Sequence, residues 1–125
     1  MKFFNVPNII PASTVMNTTI NSSPMQLMDS FIYSIQIVFT GTPTGAFKLQ
    51  ASDDPAAESV GTGNVAKLPT HWTDVSNSSF TVAAAGNVMW TVDMPGYNWV
   101  RVVYTDASSG ASTAIITNAV YNAKG

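Results

Sequence analysis

The chain contains no cysteine, so disulfides and thiolate metal sites are excluded, and a cytoplasmic folding environment is the simpler expectation. Charge is also scarce. Only 10% of the 125 residues are Asp, Glu, Lys or Arg, against roughly 25% in an ordinary soluble domain. A net charge of -2, with no cluster of Lys and Arg, argues against nucleic acid, whose phosphates need a basic surface. No run approaches the roughly 20 apolar residues of a membrane-spanning helix. Met1-Lys2-Phe3-Phe4 opens like an export signal, but Asn5, Pro7 and Asn8 interrupt it before an apolar run of about seven residues can form. What is present is a 46% hydrophobic chain with room for one core. Its polar surface must come mainly from Ser, Thr and Asn. Such neutrality suits a protein packed against copies of itself or other subunits, because interface charges must be desolvated. A neutral secreted binding domain is the alternative.

The clearest pattern is Ser30 to Thr40, where Phe31, Tyr33, Ile35, Ile37 and Phe39 share one face, with mainly polar residues on the other. At roughly 3.3 Å per residue this strand spans a small β-domain. Gly41-Thr42-Pro43-Thr44-Gly45 then supplies turn residues and Ala46 to Ser52 alternates again, which predicts a hairpin with Phe47, Leu49 and Ala51 facing in. Asp53 to Pro69 reads as a long loop. Short β-prone runs follow at His71 to Val75, Ser79 to Ala83, Val88 to Asp93, Tyr97 to Thr105 and Ala111 to Tyr121, the last two expected to pair with each other. Val100, Val102 and Tyr104 complete the expected core. Seven or eight strands without a helical pattern predict an all-β fold, an antiparallel β-sandwich or jelly roll, over residues 29 to 125. Residues 1 to 28, broken by Pro7, Pro11 and Pro24, read as an extended N-terminal arm with possible edge strands. Removal of Met1 to Pro11 is expected to leave the sandwich folded and to weaken assembly.

Few side chains offer chemistry. His71 is the only histidine, and nothing stands near it at metal-ligand spacing; it reads as a loop residue beside Trp72. Asp53 and Asp54 could offer hard oxygen ligands to calcium, with only Glu58 to add; capping backbone amides in a turn is the simpler role. Trp72, Trp90, Trp99, Tyr97 and Tyr104 could make a sugar-stacking platform, although Trp in strands usually belongs to a core. Gly61-Thr62-Gly63 lacks the glycines and lysine of a phosphate loop. Arg101 lies mid-strand on the face of Trp99 and Val103 and needs a partner or an open face. Asp53, Asp54 or Asp93 could pair with it, or Trp could stack on it. No catalytic residue, metal or cofactor is expected.

From Met25 to Ala119 the order of landmarks resembles small β-sandwich virion proteins of bacteriophages. The elements are Gln36 to Gly41, Gly45 to Ser52, Trp72-Thr73-Asp74-Val75, Gly86 with Trp90, and Tyr97 through Val100-Arg101-Val102-Val103-Tyr104 with Ser109-Gly110 behind. The resemblance implies a non-enzymatic head decoration or cement protein, a fibre or spike module, or a tail part, assembled in the bacterial host cytoplasm. Its partners would be copies of itself, as a trimer, and the major capsid or other virion proteins. The competing reading is a carbohydrate-binding module with His71 and Trp72 contacting a glycan at a loop end.

Overall fold

A computed structural model describes residues 3–27, 30–55 and 68–125. Eleven strands occur among them: β1 (Phe3–Pro7), β2 (Thr14–Val15), β3 (Ile20–Asn21), β4 (Met25–Gln26), β5 (Ile32–Thr40), β6 (Gly45–Ser52), β7 (Thr73–Asp74), β8 (Phe80–Val82), β9 (Gly86–Asp93), β10 (Trp99–Asp106) and β11 (Ile115–Lys124). They form two antiparallel sheets. The first runs β1-β11-β5-β9 with β2 also on β11; the second runs β3-β10-β6-β7, with β4 also on β10 and β8 on β6. If β3 and β4 count as one strand and β7 and β8 as another, and β2 is set aside as an extra edge strand, the first strand pairs with the eighth, the second with the seventh, the third with the sixth and the fourth with the fifth. That is a long hairpin, bent at the segment between β6 and β7, wound over itself into a jelly roll. The protein is therefore an all-β sandwich.

This winding overturns both expected hairpins. β5 and β6, although joined by four residues, lie in different sheets, and so do β10 and β11. The reason is their inward faces: Tyr33, Ile35, Ile37 and Phe39 need cover, and Phe47, Leu49, Val100, Val102 and Tyr104 supply it only from the opposing sheet. Eleven positions were expected to face the core, and nine are buried. Ala51 is only half-buried, and Phe31 is 49% exposed. β5 begins one residue later, with Ile32 opposite Lys124 and Asp93, so Phe31 lies beyond the last paired row and beyond cover. A bulge between Ile116 and Asn118 resets the phase of β11, which keeps Ala119, Tyr121 and Ala123 inward.

The segment read as an arm instead forms part of the sandwich over its described residues. β1 lies along β11, β3 and β4 cover one edge of β10, and Ile9, Ile10, Met16, Ile20, Met25 and Leu27 are buried in the core. Short apolar pieces between prolines suffice because each needs only a few ladder bonds at a sheet edge. Most of the Asp53 to Pro69 loop, with Glu58 and Gly61 to Gly63, falls outside the described residues.

The core is rich in tyrosine. The Tyr33 and Tyr97 hydroxyls share a 2.6 Å hydrogen bond, and the Tyr33 and Tyr121 rings lie 5.9 Å apart. Burial raises the pKa of Tyr33, Tyr97 and Tyr104, and pushes Tyr121 up to about 12. Unfolded tyrosines ionise near 10. Because the folded values lie higher, stability is full below pH 10 and falls above it by up to about 1.4 kcal/mol per pH unit for each such tyrosine. Urea midpoints are expected to drop steeply between about pH 10 and 12. Phenolate absorbance should appear with unfolding; free titration of all four tyrosines near pH 10 in the folded protein would contradict their burial.

Candidate functional site

Alternation in β6 turns Phe47 and Leu49 inward and Lys48 and Gln50 outward. β10 sets Arg101 opposite Gln50, and β7 sets Asp74 on Gln50's other side. The result is a polar chain across the second sheet. Lys48 Nζ lies 3.1 Å from Asp74 Oδ2, and Gln50 Nε2 donates to Asp74 Oδ1 at 2.9 Å. Gln50 Oε1 accepts from Arg101 Nε at 2.9 Å and Nη2 at 2.7 Å. The Arg101 guanidinium carbon stands 4.3 Å from the Trp72 ring centroid. Gln50 and then Lys48 hold the Asp74 carboxyl below its usual range. The oxygen that receives Arg101 is thus an amide, not Asp53, Asp54 or Asp93, while Trp72 takes the stacking position. An exposed chain of this kind adds little stability; it ends with the Arg101 guanidinium against the Trp72 ring.

Asp54 does turn work. Its Oδ2 accepts from the Thr70 amide at 2.7 Å and the His71 amide at 3.1 Å, and Oδ1 lies 3.1 Å from His71 Nδ1. The Thr70 amide, then the contacts to His71, hold the Asp54 carboxyl low. The Asp54 carbonyl accepts from Trp99 Nε1 and Asn98 Nδ2, both at 3.1 Å, and the Asp53 carbonyl accepts from the same amide at 3.1 Å. Asp53, Asp54, His71, Thr73, Asp74 and Tyr97 line an open cleft of about 570 Å³. Trp72 is not among the residues that line this cleft. Thr70 Oγ1 lies 3.1 Å from His71 Nδ1, the same nitrogen that faces Asp54. A catalytic relay needs its carboxylate and nucleophile on opposite nitrogens, so this trio has the wrong geometry for one. Among the described residues no group of three His, Cys, Asp or Glu could hold a metal.

The outer face of the first sheet is different in kind. Its register aligns Asn5, Asn122, Ser34 and Thr91 in one row, Pro7, Val120, Gln36 and Met89 in the next, and Asn118, Val38 and Asn87 in a third. These rows carry no charge. Lys124 and Asp93 appear only in the row at one end. Asn5 donates to Asn122, Gln36 donates to Asn87 at 3.4 Å, and Met89 is 49% exposed.

No protein-family model matches the sequence, and no curated protein sequence is similar to it. Among solved structures, the coat protein of Tobacco streak virus is similar over 98% of this chain and 86% of that chain, with 9% identity and a TM-score of 0.48.

Sequence reasoning singled out Arg101 and Trp72 but not Gln50 or Asp74. Gln50 lies 51 residues from Arg101 and 24 from Asp74, so only sheet register could join them. The outward parity of Gln50 was the available signal.

Proposed function

We propose that this chain is a structural subunit of a virion, a decoration or cement protein on a bacteriophage capsid, working through contacts with its own copies and the shell and without turnover. The observation that carries this reading is the uncharged outer face of the first sheet. Three rows of amides, hydroxyls and partly exposed apolar side chains offer a surface whose burial requires no charge to be desolvated. The jelly roll recurs in viral shells and also in lectins, so the fold by itself serves either reading. A trimer on the outside of the particle, contacting the major capsid protein, is the arrangement proposed.

Mass spectrometry of purified phage particles should find the polypeptide, and light scattering of the recombinant chain should give an oligomer. A monodisperse monomer, absent from particles and binding a glycan in a manner abolished by Trp72→Ala, would replace this reading with a carbohydrate-binding module.

A further inference from the structure

β1 ends the first sheet. One of its edges pairs with β11, and among the described residues no strand pairs with the other. Free edges are ordinarily protected by charge, proline, bulges or cover; here Pro7 removes one donor at the end of β1, while Phe4, Asn5 and Val6 are uncharged and exposed. Phe4 and Val6, opposite the buried Ala123 and Tyr121, point to the core side of the sheet and are each 42% exposed. Apolar side chains on the core side of an edge strand lack only the next strand to cover them.

The backbone identifies which groups are free. Ala119's carbonyl accepts from the Ile9 amide at 3.1 Å, so residues 119, 121 and 123 turn their backbone groups toward β1. Their partners Val6 and Phe4 complete the ladder, and Phe3, Asn5 and Pro7 present theirs to the open side. Pro7 fits this parity, because a proline in a strand belongs where its missing N–H faces away from the partner.

We propose that β1 is a two-fold contact between copies of this chain, centred on Asn5. An antiparallel pairing about that residue sets Asn5 against Asn5 of the second copy, Phe4 against its Val6, and Phe3 against its Pro7. The Asn5 amides and carbonyls exchange two hydrogen bonds, and each Phe3 amide reaches a Pro7 carbonyl. The missing Pro7 donors leave only the two Phe3 carbonyls without a strand partner. Two Phe4 and two Val6 side chains then cover one another on the core side. The segment is self-complementary, as a two-fold contact requires, and its neutrality removes like-charge repulsion. Five residues of edge fall well short of the roughly 800 Å² per partner of a stable complex, so the contact is weak alone and works by repetition in an assembly. It joins oligomers in pairs and does not itself build a trimer. It rests for its purpose on the subunit role proposed above, but its test uses the purified chain and can fail independently of the particle test.

These 125 residues contain no cysteine, so Asn5→Cys creates a single reporter. The proposed pairing places the two Cα atoms about 5.5 Å apart, inside the roughly 4.4 to 6.8 Å that a disulfide spans. Under mild oxidation Asn5→Cys is expected to form a covalent dimer about tenfold or more faster than Asn87→Cys on the opposite edge. Adding Val6→Lys should remove that advantage while leaving the circular dichroism spectrum unchanged. Equal rates at positions 5 and 87, or an Asn5→Cys rate that Val6→Lys does not change, would overturn the contact.

Discussion

Replacing Phe47 by alanine is expected to remove about 3 to 5 kcal/mol of stability. The ring is fully buried and sits where the sheets meet, 5.6 Å from Phe39 and 6.4 Å from Trp90 of the first sheet, and 4.8 Å from Tyr104 of its own. Its loss leaves a cavity between rigid rings on strands that cannot collapse without breaking register, which puts the cost at the upper end for a core deletion. Against a total of about 5 to 15 kcal/mol this is a large share. Phe80, its cross-strand neighbour on β8, is 40% exposed and provides the control. Phe80→Ala should cost less than half as much by urea unfolding. A Phe47→Ala loss below about 1 kcal/mol would mean that the two sheets do not close over this ring.

Deletion of Met1 to Pro11 is expected to unfold the protein, the reverse of what its sequence suggests. The cut removes β1, and with it Ile9 and Ile10, which are 2% and 0% exposed. Two buried isoleucines are worth roughly 4 to 10 kcal/mol together, comparable to the whole stability of a domain. β11 would also become an edge, with Tyr121 and Ala123 losing the cover of β1. Circular dichroism and amide exchange of the truncated chain decide the matter. A cooperative transition with native-like protection in β11 would restore the view of this segment as an arm.

Both results turn on the same division between local and distant information. The alternation of Ser30 to Thr40 made β5 legible, and Phe47, Leu49, Val100, Val102 and Tyr104 could be assigned inward, because side-chain parity is a local property of a strand. Partners were not legible. Gly41 to Gly45 carries every mark of a hairpin turn, yet it passes the chain from one sheet to the other. Turn chemistry specifies a change of direction, and burial of both inward faces chooses the sheet entered next. The N-terminal segment misled for a related reason, since Pro7, Pro11 and Pro24 are compatible equally with a free arm and with edge strands. The candidate site followed the same rule. The need of Arg101 for a partner was visible in its mid-strand position, but Gln50 and Trp72 became that partner only through the register of β6 with β10 and the approach of β7.

The sequence by itself determined an all-β chain with a neutral surface, because composition and period-two alternation act over a few residues. Tertiary structure alone decided the jelly-roll winding, the charge-free rows of the first sheet, the chain from Lys48 to Trp72 and the open edge at β1. Each of these depends on which strands become neighbours, and that choice is made by covering two apolar faces at once, a condition that no short stretch of sequence contains.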